Sequence, residues 1–454
     1  NASDIVVGSG GISVESDNLT QTNNTMAAKG KVDVTVTERL KNDNSTIQSH
    51  ETDVHLSAQT LQNTNESSIY AEETLSITST DLENTTSDIV TAGTGDHQFT
   101  VTNKLTNSGS ISGIGSLVFV ANDIDNQNGI IQSLSSLEFN GQQFNNNNGT
   151  LLALSDLNWS GRTFINQSGE VTVGNNGTFT ASDIVDNSFG TIEGGTGLLH
   201  ISAENDIKNE NGSIAALGDI KLEVNNDYST AGSISASKHL DILASSITNQ
   251  TALEAGQRLT LSSTLGSVDN QNSIFANRSV HLNSAQGLQN SGVIESAGTI
   301  TLQSGPGFDI TNSALGTISS SGRLDIDSGT HIVNEGSIGS YTAVSLNATV
   351  VTNNGQLASG GSLGIRATDR IHNSGLLFSA TDMQLLADKS LYNDSNILSF
   401  GNLTIENLSG GKNNHVDNMY GLIEADGTFT VRAKQINNIG HLETQTKTDY
   451  KIIK

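Results

Sequence analysis

The side chains best suited to chemistry in this sequence are paired carboxylates. Asp325 and Asp327 flank a single residue, as do Asp123 and Asp125. On a strand, residues two apart share a face and lie roughly 7 Å from each other. That separation falls within the range used by acid pairs that cleave glycosidic bonds. Neither pair is accompanied by a cluster of Arg or Lys, of which the whole chain has only 21. The pairs therefore read as solvated strand faces, with carbohydrate cleavage as the alternative. Among the histidines, His50 and His55 are closest, without a third ligand at metal spacing and without any cysteine. Gly194-Gly195-Thr196-Gly197 starts like a calcium-binding nonapeptide, but Leu198 stands where the series needs its acidic ligand. Asn-x-Ser/Thr triplets such as Asn158-Trp159-Ser160 follow from the Asn- and Ser-rich composition. The sequence calls for no metal and no cofactor, and the chain reads as a non-enzyme.

What would position any such group is a repeat. One apolar residue, any residue, then Asn recurs at Asn42, Asn63, Asn84, Asn107, Asn126 and onward to Asn438, at intervals of about 20 residues. Ser229 occupies the place expected between Asn209 and Asn249. In the coil Arg323 to Thr342, Leu324 and Ile326 alternate with the aspartates, Ile332 precedes Asn334, and Ile338 opens a third apolar alternation. Period-two runs of this length between Gly, Asn and Ser turns are strands with one buried face. Three short strands in about 20 residues match one turn of a right-handed parallel β-helix, here of about twenty coils. Residues 1–443 form it, and 444–454, which lose the alternation, read as an exit segment or linker. Identical Asn side chains stacked at the roughly 4.8 Å spacing of adjacent strands form a hydrogen-bonded ladder. The glycines that follow, as in Asn107-Ser108-Gly109, supply positive φ at the turn.

Phe99, Phe119, Phe139, Trp159 and Phe179 keep the same period, as do Phe144 and Phe164. They fall on the buried phase of the alternation, which predicts interior stacks; an exposed sugar-binding stripe is the alternative. The longest interval, from Asn393 to Asn418, carries the insertion Ser409-Gly410-Gly411-Lys412-Asn413-Asn414-His415, with Met419 and Tyr420 just beyond. Insertions in a solenoid map to loops, often on a binding face. Lys412, Asn413, His415, Met419 and Tyr420 are thus the candidate receptor contact, against the reading of an idle surface loop.

The formal charge of −26 argues against nucleic acid as partner. No run of 18 apolar residues spans a membrane. Only 34% of the residues are hydrophobic, too lean for one thick core but enough for the narrow continuous core of a repeat protein. Asn1 follows no initiator Met or apolar leader, so the chain reads as an internal fragment. The absence of cysteine suits export of an unfolded chain through a narrow pore.

Stretches such as Arg258-Leu259-Thr260-Leu261, and Ser291-Gly292-Val293-Ile294-Glu295-Ser296 with the following Ala297-Gly298-Thr299-Ile300-Thr301-Leu302, resemble the filamentous haemagglutinin repeats. These occur in bacterial two-partner-secretion exoproteins, among them the CdiA proteins of contact-dependent growth inhibition. The resemblance spans roughly residues 29–443. It implies a secreted, monomeric cell-surface filament exported by an outer-membrane transporter. In the CdiA branch it further implies a receptor-binding region for an outer-membrane protein or lipopolysaccharide of a target cell, and toxin delivery. The only proline is Pro306, so the family's Asn-Pro secretion signature is not in this stretch, nor is the Val-Glu-Asn-Asn boundary that precedes a toxin. A purely structural stalk of a host-cell adhesin and a carbohydrate-active β-helix enzyme are the alternatives.

Overall fold

In the computed structural model, residues 4–440 are described; the expected exit segment 444–454 lies outside them. The chain is an all-β parallel solenoid of about 22 turns, each of about 20 residues, with no helix among the described residues. The coil read from Leu324 shows how sequence makes the turn. Its strands are Leu324–Asp327, His331–Asn334 and Ser337–Ser340. Leu324, Ile326, Ile332 and Ile338 point inward, and all are buried, as are Leu363 and Ile365 two coils away. The first two strands of each coil belong to one sheet and the third to a second. In some coils the first two fuse into one long strand, such as Val32–Asp43 or Ser362–Asn373, and slip register where the corner bends.

Two compact units are present. The first comprises the described residues up to 266 together with 272–277; the second comprises 267–271 and 278–440. In the first, one interior column runs Val32, Val54, Leu75, then His97, Leu117, Leu137, Leu157. A second runs Leu56, Ile77, Phe99, Phe119, Phe139, Trp159, Phe179 and Ile201. In the second unit the matching columns are Val280, Ile300, Leu324, Val344, Leu363, Met383, Leu403 and Leu282, Leu302, Ile326, Leu346, Ile365, Leu385, Ile405. Each full burial of such a side chain contributes about 1.5–3 kcal/mol, and the columns carry that contribution without a break from coil to coil.

His97 is the polar exception in its column. It is fully buried, its Nδ1 accepting from the Leu75 N–H at 3.2 Å while Nε2 lies 3.1 Å from Gly93 O. Burial holds its pKa below the usual 6.5, partly countered by the Gly93 carbonyl. The neutral ring, with one nitrogen donating and one accepting, fits this slot.

The Asn ladder is present as a directional chain of amides. In the first unit Asn42 Nδ2 donates to Asn63 Oδ1 at 2.8 Å, Asn63 to Asn84 at 2.8 Å, and so on to Asn187 and Asn209 at 2.7 Å. In the second it runs from Asn270 through Asn290, Asn312, Asn334, Asn353, Asn373 and Asn393 to Asn418 and Asn438, each link 2.7–2.8 Å. Each Nδ2 also reaches backbone carbonyls at the turn, as Asn290 does with Thr317 O at 3.3 Å. Gln21, not anticipated, heads the first ladder by donating to Asn42.

Two expectations about this ladder are corrected. Ser229 is exposed; Thr230 is the buried residue in the ladder column, opposite Asn249, and its Oγ1 donates to Asn249 Oδ1 at 2.7 Å. A shift of one residue exchanges the two faces of a strand, and Tyr228 fills the interior site two places earlier. Gly109 does not take positive φ. It is required because a Cβ there would meet Ser87 O of the neighbouring coil at 2.1 Å. Left-handed backbone instead recurs two places after the ladder residue, at Asn23, Asn44, Asn128, Asn148 and Asn211, where Asn tolerates it.

The periodic aromatics are interior, which overturns the sugar-stripe alternative. Phe99, Phe119, Phe139, Phe144, Trp159, Phe164 and Phe179 are all buried. Phe99 stacks on Phe119 at 4.6 Å and Phe119 on Phe139 at 4.9 Å. Trp159 holds its register between Phe139 and Phe179, yet its nearest ring is Phe164 at 5.3 Å. The second unit reverses this usage. Its described aromatics, Phe308, Tyr341, Phe378, Tyr392, Phe400, Tyr420 and Phe429, are all at least partly exposed.

Candidate functional site

The paired carboxylates lie outward, as expected, but Asp325, Asp327 and Asp125 are already engaged. Arg323 Nε contacts both oxygens of Asp325 at 2.7 and 2.8 Å, and Asn347 donates to Asp327 at 3.0 Å. Lys104, one coil away, bonds Asp125 at 2.9 Å; a cation that sequence distance hid thus pairs with one member of that pair. A groove of about 200 Å³ beside Asp325 is lined by Arg323, Ser345, Gly364, Arg366, Gln384 and neighbours, with no carboxylate among them. Among the described residues no three His, Cys, Asp or Glu side chains gather as a metal site.

The insertion forms an ordered corner between the strands Leu403–Glu406 and Asn413–Met419. Asn407 organises it. Its Oδ1 accepts from the Ser409 N–H at 3.1 Å, the Ser409 hydroxyl at 3.0 Å and the Gly411 N–H at 2.6 Å. Gly410 takes the left-handed backbone the tight turn needs, at φ 79°. From the next coil Arg432 bonds Glu406 at 2.7 Å and Gly410 O at 2.9 Å. The loop is therefore held from both sides, and Lys412 leaves it into solvent.

The structure separates the candidate contact residues. Lys412 and His415 are exposed at this corner. Asn413 is fully buried, with neither side-chain polar atom satisfied, so it is a strand residue of the interior and not a surface contact. Met419 is half-buried and Tyr420 is exposed, but both stand at the far end of the strand, up to about 23–26 Å from Lys412 at 3.3 Å per residue. Tyr420 adopts φ 66° at the ladder turn and belongs to a different corner.

What gathers around Lys412 is a row of cations. Arg370, Ser390, His415 and Gln435 stack in register over four coils. Around that column stand Arg366, Arg370, Lys389, Lys412, Arg432 and Lys434, six cations against the four carboxylates of Asp369, Asp388, Glu406 and Asp417. Lys389 pairs with Asp369 at 3.0 Å, Arg432 with Glu406, and Lys434 bonds Asn414 at 2.9 Å. Arg366, Arg370 and Lys412 are exposed, and no ion pair engages them among the described residues. In a chain of charge −26 this corner reverses the local sign.

A parallel solenoid of about 20 residues per turn with an internal Asn ladder is the architecture of a repeat protein. The haemagglutinin-repeat family model matches residues 1–59, 44–109, 100–161, 160–211, 209–263, 258–305 and 308–449. The chain belongs to that family, whose repeats are typical of filamentous adhesins and two-partner-secretion exoproteins and are generally non-enzymatic. The family implies a secreted filamentous exoprotein. No curated protein and no solved structure matches the chain.

Proposed function

We propose that this chain is a receptor-binding segment of a secreted adhesin of the contact-dependent growth-inhibition type, and that its basic corner meets an anionic group on a target cell, either lipopolysaccharide or an acidic loop of an outer-membrane protein. The observation that carries the reading is the preorganised loop at Asn407–Lys412, placed where a row of unpaired cations interrupts an acidic surface. Complementary charge steers encounter and sets specificity. Order in the loop lowers the entropy lost on binding.

The test combines Arg366→Glu, Arg370→Glu and Lys412→Glu, all at exposed positions, and measures binding to target cells and to purified lipopolysaccharide. At least a tenfold loss, with wild-type binding weakening as salt rises, supports the reading. Unchanged binding by a variant that melts like wild type refutes it and leaves a structural stalk. A toxin domain encoded downstream supports the growth-inhibition branch; a coding sequence with further repeats only overturns it.

A further inference from the structure

The second unit carries a self-complementary apolar window on its short-strand sheet. The strands Thr317–Ser320, Ser337–Ser340, Gln356–Ser359, Leu376–Ser379 and Asn396–Ser399 succeed one another there. These five strands and the two residues after each contain no Asp, Glu, Lys, Arg or His. The outward column reads Glu295, Ser319, Gly339, Ala358, Phe378, Leu398, Glu424 in register. Small residues form its first half and large apolar ones its second, with a carboxylate at each end.

The small half is a groove of about 280 Å³, floored by Gly339, Ala358 and Gly360 and walled by Tyr341 and Phe378. Tyr341 is 80% exposed and Phe400 60%; Phe400 meets Phe378 edge-on at 5.2 Å. The serines beneath the groove turn their hydroxyls into the protein. Ser320 and Ser340 donate to Gly322 O, and Ser359 donates to Ser362 O at 2.9 Å. The lining therefore offers a sugar or a headgroup no charge, and no free hydroxyl beyond those of Ser319 and Tyr341 at its rim. What fits is an apolar surface.

We infer that this window is an antiparallel contact between two copies of the chain. A two-fold axis along the strands, passing between the coils of Ala358 and Phe378, inverts the column. Ala358 then faces Phe378 of the second copy, Gly339 faces Leu398, and Tyr341 faces Phe400. Every pairing is reciprocal, as an isologous interface demands. Each joins a small residue to a large one or ring to ring, and Glu424 meets Ser319 instead of another carboxylate. Elsewhere two chains of charge −26 repel; a neutral face is where they approach at least cost. Five coils of about 4.8 Å give each copy a patch of roughly 400 Å², about 800 Å² for the pair and below the roughly 1,200 Å² at which standard specific interfaces begin. The association is correspondingly weak and reversible, in contrast to the monomeric filament that the sequence led us to expect.

The chain has no cysteine, so cross-linking is specific to introduced thiols. Ala358→Cys and Phe378→Cys chains, mixed at high concentration and oxidised, should form a covalent dimer, while either alone should not. Sedimentation equilibrium of the wild type should show a mass rising with concentration, lost in Ala358→Glu with an unchanged melt. Cross-linking of either variant with itself as efficiently as in the mixture overturns the antiparallel pairing. A wild type that stays monomeric up to millimolar concentration overturns the contact.

Discussion

Asn290→Ala interrupts the ladder inside the second unit. Asn290 is buried, accepts from Asn270 at 2.7 Å, and donates to Asn312 Oδ1 at 2.8 Å and Thr317 O at 3.3 Å. Alanine removes all three bonds. Asn270 keeps a second acceptor, Val293 O at 3.3 Å. The Asn312 amide oxygen loses the one neighbour placed to donate to it, and Thr317 O loses its side-chain donor. A buried group left unsatisfied costs about 1–3 kcal/mol, so the variant should lose about 2–4 kcal/mol. In a repeat array each coil contacts only its neighbours, so the loss should be local as well as global. Native-state hydrogen exchange should show amides of Leu288–Asn290 and Ile310–Asn312 exchanging about 30-fold faster or more, at tenfold per 1.4 kcal/mol. Amides of the coils near Asn373 should change little. A melt and exchange pattern within about 0.5 kcal/mol of wild type would show that the ladder is a by-product of strand stacking and contributes nothing itself.

Three further outcomes follow from the first unit. Thr230→Asn should raise stability by about 1 kcal/mol, because Asn209 Nδ2 donates there only to a backbone carbonyl, Ser233 O at 3.1 Å, and would gain an amide oxygen such as Asn187 finds in Asn209; a lowered melting temperature refutes this. Trp159, the one tryptophan, is buried with an unpartnered indole N–H, so its emission should be blue-shifted and insensitive to iodide until unfolding. His97 binds its proton at lower pH when folded than the ordinary 6.5 of the unfolded chain. Its contribution is complete above about pH 6.5 and is lost as pH falls from there toward the folded pKa. His97→Leu should be less stable than wild type at pH 7.5, since Leu75 N–H and Gly93 O lose their partner, yet show a flatter dependence between pH 7 and 5. A parallel pH dependence in variant and wild type would remove His97 as the acid-sensitive group.

The sequence by itself determined the repeat, the strand-forming alternation, the inward residues and the ladder. Those features obey periods, two along a strand and about 20 between coils, and a period needs no knowledge of distant contacts. The coil at Arg323 and the stack from Phe99 to Phe179 were legible for that reason. Where the period slips by one residue, only packing decides the face: Thr230 and not Ser229 joins the ladder because Tyr228 fills the interior site before it. Asn413 looked like part of an exposed loop, yet the strand resumes there and turns it inward. Neighbours in sequence can also stand at different corners, as Lys412 and Tyr420 do, because seven strand residues lie between them. Conversely, the tertiary structure brought together what the chain keeps about 20 residues apart: Arg366, Lys389, Lys412 and Lys434 at one corner, and Gly339, Ala358, Phe378 and Leu398 on one face. A solenoid converts sequence distance of one period into about 4.8 Å of space, so its surfaces are written down columns that the linear order does not show.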